Sequence, residues 1–164
     1  MALEVGVNSY VSVEDATAYF ADRFFAAPPS SVWEEADTTA RETALTTATA
    51  RIDRLTLVGV KADPDQDLEF PRSYVTTVEE EPKTYTEPEV LPNVKRAVYE
   101  EALAILGGDS PSLRAQLQAE GVTSARIGSV AETYDGSGAL MGGFASGAAA
   151  EYMKPYMKSV AAFG

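Results

Sequence analysis

Four prolines, Pro64, Pro71, Pro82 and Pro88, interrupt the chain between two parts that have helical periodicity. Proline lacks the amide hydrogen that a helix interior needs and has a fixed φ, so no helix continues through this region. Within residues 59–90, apolar and polar residues alternate only weakly, around Tyr74–Val78. A short hairpin there is therefore an alternative. A loop of about 30 residues is uncommon in a compact domain and is usually functional or disordered. We therefore predict a long irregular loop with a mobile tip.

The part before this loop predicts two helices. Ser12 and Asp15 have the spacing of a capping box, and the apolar stripe of Ala16, Phe20 and Phe24 follows. Asp37 is the expected N-cap of a second helix that runs to about Leu57. Its apolar residues Leu45, Ala48, Ile52 and Leu55 follow the helical period. The other face carries Thr43, Thr46, Thr47 and Thr49, which are weak helix formers, so we expect it to pack closely against another element.

The part after the loop predicts further helices and one hairpin. Pro92 begins a helix that ends at Gly107-Gly108, and a short helix follows between Ser110 and Gly121. Residues 122–134 have the pattern of two short strands joined by Gly128-Ser129. A last helix is expected over 148–159, shortened or kinked by Pro155.

The expected fold is therefore mainly α: a small helical bundle of about four to five helices with a long irregular loop and a short β-hairpin near the C-terminus. We divide the chain into a helical domain at 1–134, a Gly-rich linker at 135–147 and a C-terminal docking helix or arm at 148–164. At 164 residues one domain is the simplest organisation.

Composition excludes most catalytic chemistry. The chain has no histidine and no cysteine, so it cannot form the usual nucleophilic triads. Asp63-Pro64-Asp65-Gln66-Asp67 has the spacing of a calcium loop but lacks its glycine and its final glutamate, which favours a solvated turn. Gly136-Ser137-Gly138 is too widely spaced from Gly142 for a dinucleotide site and is better interpreted as linker. We expect no enzyme activity, no cofactor and no metal.

Charge and hydropathy constrain the partners. Acidic residues number 25 against 13 basic ones, which gives a net charge of −12. Tight binding to phosphate backbones depends on Lys and Arg, so such a chain is poorly suited to gripping nucleic acid. The sequence shows neither a signal peptide nor an apolar run of about 18 residues, so we expect neither secretion nor a membrane span.

Three segments are candidates for contacts with other proteins. Trp33 is expected to anchor a core or an interface. Phe70-Pro71-Arg72 is either a turn with a solvent-facing arginine, or a place where Phe70 docks the loop and Arg72 pairs with an acidic neighbour, in this chain or in another subunit. The acidic loop tip, Glu79, Glu80 and Glu81, is a further candidate for contact with a neighbouring subunit or another protein.

The C-terminal segment is the sharpest of the interaction candidates. It carries Tyr152, Met153, Tyr156, Met157 and Phe163, and tyrosine and methionine are frequent in interface cores. The alternative is an ordinary helix packed in the core.

Five motifs, in this order, resemble the head–tail adaptor (connector, or head-completion) proteins of long-tailed bacteriophages, and in particular the branch labelled "DnaT-like single-stranded DNA-binding". The matching residues cover roughly 8–105: Asn8-Ser9-Tyr10 with Ser12-Val13-Glu14-Asp15-Ala16 and Tyr19, Trp33, Ala44-Leu45 with Ala48-Thr49 and Ile52-Asp53, Phe70-Pro71-Arg72, and Pro92 with Val94-Lys95 and Ala97.

The resemblance implies a mostly helical structural protein of the virion neck, made in the host cytoplasm. Such subunits form a ring, usually of twelve copies, between the portal protein and a tail-side stopper or tail-completion protein. Double-stranded DNA passes through the bore without tight binding. In this hypothesis the C-terminal arm docks on the portal, and the 59–90 loop contacts neighbours or the tail-side partner. The alternative function is a single-stranded-DNA-binding replication accessory protein, which would use Tyr10, Tyr19, Trp33 and Tyr74 to stack on bases.

Overall fold

A computed structural model describes residues 2–22, 29–78, 81–108, 124–127, 130–133 and 143–158. Its elements in chain order are α1 (Val13–Ala21), α2 (Pro29–Glu35), α3 (Thr38–Asp53), β1 (Val60–Lys61), β2 (Arg72–Val78), β3 (Glu81–Thr86), α4 (Pro92–Leu106), β4 (Ser124–Ile127), β5 (Val130–Thr133), α5 (Gly147–Met153) and a 3₁₀ helix (Lys154–Tyr156). The mainly helical fold predicted from the sequence is confirmed. The predicted helix between Ser110 and Gly121 lies outside the described residues.

Helix α1 begins as its capping box predicts. The Ser12 hydroxyl accepts a hydrogen bond from the Asp15 amide at 3.0 Å, and the Asp15 carboxylate accepts one from the Ser12 amide at 3.3 Å. Ala16 and Phe20 point into the core. The amide groups that a helix N-terminus leaves without intrahelical partners are thereby partly satisfied, which fixes where the helix starts.

Helix α3 also begins where the sequence predicts, with Asp37 accepting from the Ala40 amide at 2.8 Å. It ends at Asp53, one turn before the expected end at Leu57, and Leu57 instead forms an isolated β-bridge with Met157. The chain thus leaves the helix early because its last predicted residues pair with the C-terminal segment.

Helix α4 lies at the centre of the core and packs against α3 on one side and α5 on the other. Its buried positions include two acidic residues, and the full set is Val94, Ala97, Val98, Tyr99, Glu100, Glu101, Ala102 and Leu103. A helix that is buried around this much of its circumference normally belongs to the interior of a bundle.

Residues 59–90 contain an antiparallel sheet in the order β1-β2-β3, where the sequence predicted an irregular loop and left a short hairpin as the alternative. The ladder of β2 and β3 runs from the Ser73–Thr86 pair to the Val78–Glu81 pair. Residues 75–76 of β2 and 82–86 of β3 are all exposed, so the alternation that identifies a half-buried strand is missing from these parts of the sequence. Pro82 is tolerated because β3 is an edge strand.

The second hairpin is confirmed. Strands β4 and β5 pair antiparallel from Ser124–Thr133 to Ile127–Val130. The predicted turn residues Gly128 and Ser129 lie outside the described residues. The last helix starts at Gly147 and gives way to the 3₁₀ turn at Lys154, so Pro155 shortens it as predicted.

Candidate interaction site

The Asn8-Ser9-Tyr10 motif joins the N-terminus to α3 and to the Phe70 segment. The Asn8 side chain closes a turn by accepting from the Glu4 amide at 2.8 Å and donating to the Ala2 carbonyl at 2.9 Å. The Tyr10 hydroxyl donates to the Asp53 carboxylate and accepts from the Phe70 amide at 3.1 Å. This motif is therefore a structural link between three parts of the chain.

Burial raises the pKa values of Tyr10 and Asp53, the two side chains of this link. Desolvation, and then the charge of Asp53, raise the pKa of Tyr10 well above its usual value. Desolvation likewise raises the pKa of Asp53, although its hydrogen bond from Tyr10 acts in the opposite direction. The two groups therefore hold each other in place through this hydrogen bond.

Phe70 and Arg72 attach the start of β2 to neighbouring segments of the same chain. Phe70 is 2% exposed and contacts the Tyr10 and Tyr156 rings edge-on. The Arg72 guanidinium donates to the carbonyls of Val58 at 2.7 Å and Gly59 at 2.8 Å. The docking role expected for Phe70 is confirmed.

The acidic partner of Arg72 is Glu69 of the same chain, with its carboxylate 2.5 Å away. Arg72 is only 5% exposed, and Glu87 accepts from its amide at 2.9 Å and from the Tyr74 hydroxyl at 2.6 Å. Both side chains thus have partners inside this chain, which favours the intrachain alternative for Phe70 and Arg72 over the contact with another subunit.

Trp33 is a core residue. It is 1% exposed, its ring lies 5.0 Å from the Phe20 ring, and its indole nitrogen donates to the Thr17 hydroxyl at 3.1 Å. Arg41 covers the remaining face, with its guanidinium 5.5 Å from the ring centre. Of the two roles expected for Trp33, its burial favours the core anchor.

The C-terminal segment packs against the body of the protein. Met153 is fully buried, and Tyr152, Tyr156 and Met157 are half-buried against the core. The Val58 amide donates to the Tyr156 carbonyl at 2.9 Å, and the Lys158 amide donates to the Thr56 carbonyl at 2.8 Å. For Met153 the burial favours the alternative that the sequence left open, an ordinary helix packed in the core. Phe163 lies outside the described residues.

The end of the expected Gly-rich linker belongs to the same core. Phe144 and Ala145 are fully buried. The Glu101 carboxylate accepts from the Ala145 amide at 2.9 Å and 3.0 Å and from the Ser146 amide at 2.9 Å. A buried carboxylate on α4 thereby fixes the N-terminal end of α5. Sequence reasoning missed Glu101, although it lies seven residues after Val94 and so on the same apolar stripe.

The distal part of the β2–β3 hairpin is the most exposed part of the sheet. We call this part, residues 75–86, the β-ribbon. Val75 is 71% exposed and Tyr85 is 58% exposed, and Thr76 and the rest of residues 82–86 are exposed as well. Glu79 and Glu80 lie outside the described residues, whereas Glu81 begins β3 and pairs with Val78.

A groove follows the exposed side of α3. It has a volume of about 720 Å³ and is lined by Asn8, Thr46, Thr47, Thr49, Ala50, Arg51, Asp53, Arg54 and Leu68. Thr49 is buried, and its hydroxyl accepts from the Tyr10 amide at 3.4 Å, so the predicted threonine face consists of the three other threonines. We call this surface the α3 groove.

The described residues offer little else for chemistry. They contain no cluster of three or more carboxylates that could bind a metal ion, and no helix among them is long and apolar enough to cross a bilayer. Asp63 accepts from the Asp65 amide at 2.9 Å in an exposed turn, as the sequence favoured.

Two of the four aromatic residues that could have stacked on bases are internal. Tyr10 is 3% exposed and Trp33 is 1% exposed. Tyr19 is stacked on Tyr99 at 4.7 Å and donates to Glu100 at 2.7 Å, and Tyr74 is held by Glu87. These rings are committed to contacts within the chain and do not form an open stacking platform.

The fold and these two surfaces define a small helical domain with a protruding β-ribbon and a groove along one helix. The chain belongs to the family described as "Putative DnaT-like ssDNA binding protein", whose model matches residues 2–163. This match agrees with the branch whose members the ordered motifs resemble, and its description favours the single-stranded-DNA alternative over the adaptor. Comparison with curated proteins and with solved structures gave no match.

Proposed function

We propose that this protein is a structural head–tail adaptor subunit, and that copies of it form a ring, with twelve the expected number, between a portal protein and a tail-side stopper or tail-completion protein. The observation that carries the proposal is the β-ribbon, which exposes Val75 and Tyr85 on a domain whose other described aromatic residues are largely used internally. Exposed apolar side chains on a protruding element are typical of an assembly contact.

The net charge of the chain is compatible with DNA passing through a channel and argues against tight DNA binding. With a net charge of −12, the protein would repel a phosphate backbone on average. A ring with an acidic bore therefore lets double-stranded DNA slide through. In this proposal the protein belongs to the neck of the virion.

Two surfaces are proposed for the partners. Glu79, Glu80 and Glu81 contact a neighbouring subunit or the tail-side protein. The half-buried tyrosines Tyr152 and Tyr156, with Met157, present their exposed edges to the portal. Because Met153 is a core residue, deletion of 148–164 is expected to unfold the protein. Portal docking is better tested by Lys154→Glu, since that side chain is 61% exposed on the same segment.

Electron microscopy of the protein mixed with the portal protein encoded near it tests the proposal. An additional ring at the narrow end of the portal is the expected result, and Lys154→Glu is expected to weaken its attachment. A bare portal at protein concentrations well above those of the portal would rule out the adaptor function.

Single-stranded DNA binding is the second candidate function, and the description of the family supports it directly. Lys83 and Tyr85 are exposed two residues apart on β3 and so lie on one face of the strand. A cation beside an exposed aromatic ring is the pair that sequence-independent binding to single strands uses.

Fluorescence anisotropy with a labelled single-stranded oligonucleotide tests the second candidate. If it is correct, Tyr85→Ala weakens binding by about tenfold, as loss of one stacked base does, and added salt weakens it further. The matched control is Tyr152→Ala, which changes a tyrosine outside the β-ribbon. An absence of binding at low salt would remove this candidate and leave the adaptor proposal intact.

A further inference from the structure

The residues that follow α5 pair with the segment between α3 and β1. We call residues 154–158 the C-terminal strap and residues 56–58 the strap site. Two backbone hydrogen bonds join them, one of 2.9 Å from the Val58 amide and one of 2.8 Å from the Lys158 amide. The two bonds lie on either side of an antiparallel bridge. The strap is therefore a short strand that is added to the body of the protein.

Few contacts hold the strap in its site. None of the five strap residues is buried, and only Tyr156 and Met157 are half-buried. The Tyr156 ring contacts the Phe70 ring edge-on, with the ring centres 5.9 Å apart. A segment that buries so little surface opens at a small fraction of the free energy of global unfolding.

The helix before the strap is fixed in the core. Its last residue, Met153, is fully buried, and the Glu101 carboxylate accepts from the Ala145 and Ser146 amides at its start. Pro155 prevents the helix from continuing, so the chain passes into a 3₁₀ turn. Movement of the strap is therefore confined to the residues after Met153. A short connection of this kind lets a terminal segment exchange between copies of a protein.

The charge of the strap favours a second copy as its partner. Residues 152–158 contain two lysines and no acidic residue, whereas the whole chain has a net charge of −12. Lys154 lies 3.8 Å from Glu151, but both side chains are exposed, and such a surface pair contributes little. Two whole copies repel each other, so a contact made through a positively charged segment opposes that repulsion.

We propose that, in the assembled protein, the strap of one copy leaves its own chain and pairs with the strap site of a second copy. The site is complementary to the strap, because the same segment occupies it within one chain. Exchange keeps both backbone bonds and the contact between Tyr156 and Phe70. The strap and its site differ, so the contact is heterologous and successive copies close into a ring. The inference rests on the proposed ring, and it names the contact that builds it.

A disulfide that locks the strap to its own chain tests the inference, because the chain has no cysteine. Thr56 and Lys158 are exposed and lie opposite each other in the pairing, so cysteines at these positions can be bridged. The variant with Thr56→Cys and Lys158→Cys is oxidised at high dilution, and the monomer with an internal disulfide is isolated. We expect it to form about tenfold fewer rings on the portal than the reduced variant, and dithiothreitol should restore them. Equal ring formation by the locked and reduced proteins would overturn the inference and keep the adaptor function.

Mixed copies provide the second measurement. One copy carries Thr56→Cys, and the other carries Lys158→Cys and an affinity tag that changes its mass. The two are mixed, either at high concentration or on portal rings, and are then oxidised. A disulfide between the two different copies is the expected product, because it forms when the strap of one copy lies on the site of the other. Ala18→Cys, at an exposed position of α1, replaces Thr56→Cys in the matched control and should give about tenfold less product.

The outcomes separate this inference from the proposed function. Rings on the portal with no more mixed disulfide than in the control would overturn strap exchange and keep the adaptor function. A portal that stays bare while the free protein gives the mixed disulfide would support strap exchange and remove the adaptor function. A bare portal together with equal yields from the free protein and its control would overturn both.

Discussion

Arg51 on α3 and Glu101 on α4 form an ion pair of 2.6 Å whose acidic partner is fully buried. The same carboxylate accepts from the amides of Ala145 and Ser146, so one side chain connects α3, α4 and the start of α5. Burying a carboxylate is costly unless charged groups and hydrogen-bond donors surround it. Glu101 has both, and it therefore fixes the relative positions of three elements whose apolar contacts are less directional.

Removal of the Glu101 carboxylate should destabilise the protein strongly. Glu101→Ala leaves the Ala145 and Ser146 amides without their acceptor and the Arg51 charge without its partner, at an expected cost of about 3–5 kcal/mol in the free energy of unfolding. Urea unfolding followed by circular dichroism measures it. Arg51→Ala should cost less, because that side chain is 26% exposed and water can replace it. A cost below about 1 kcal/mol for Glu101→Ala would contradict this role.

The Tyr10 hydroxyl should contribute to stability through its two hydrogen bonds. Tyr10→Phe keeps the ring contact with Phe70 but leaves the Phe70 amide and the Asp53 carboxylate each short of a partner. We expect a loss of about 1–3 kcal/mol in the free energy of unfolding. Tyr85→Phe is the matched control, since its side chain is 58% exposed and an exposed change usually stays within about 0.5 kcal/mol. Equal effects of the two variants would show that the hydroxyl of Tyr10 has no special role.

The helix starts could be predicted from sequence because their signals are local. Ser12, Asp37 and Pro92 each mark the start of a helix, and the residues that form each start signal lie within a few positions of one another. The register of β4 and β5 was predictable for the same reason, as a two-residue connection determines which residues pair.

The contacts that hold the core together could not be predicted in this way. Glu101 follows Glu100 and so resembles part of a solvated acidic pair, while its partners lie 44 to 50 residues away. Likewise, Arg72 pairs within the chain although its motif is equally compatible with a partner subunit. The sheet could be predicted only as an alternative, a short hairpin around Tyr74–Val78, because residues 75–76 and 82–86 are exposed and burial left no alternating pattern there.

Gly59 should be the glycine least tolerant of substitution among those described. Its φ is +74°, and a Cβ there would lie 2.4 Å from the Ser73 carbonyl oxygen and 2.8 Å from the Tyr74 ring. Gly6 has a similar φ of +87° but nothing within 4 Å, so Gly6→Ala measures the backbone cost alone, about 1–2 kcal/mol. Gly59→Ala should exceed that cost clearly and separate β1 from β2. Thermal unfolding of both variants tests this, and equal losses would show that the close approach of β2 relaxes freely.

Three tyrosines should make the protein sensitive to alkaline pH. Burial raises the pKa of Tyr99 to about 12, and burial also raises the pKa of Tyr10 and Tyr74, assisted by their carboxylate partners Asp53 and Glu87. Each folded-state pKa lies above the ordinary value of 10.0, so the folded protein keeps protons that the unfolded chain releases. The stabilisation is therefore complete below pH 10 and is lost as the pH rises from there through each folded-state pKa.

The contribution of Tyr10 to this loss can be measured separately. For a tyrosine that is 3% exposed, the free energy of unfolding should fall by up to about 1.4 kcal/mol per pH unit above pH 10. Tyr10→Phe removes one titrating group, so its stability, although lower at neutral pH, should decline less steeply between pH 10 and pH 11.5. Urea midpoints measured across this range provide both slopes. Parallel curves for the two proteins would show that Tyr10 loses its proton as readily in the folded protein as in the unfolded chain.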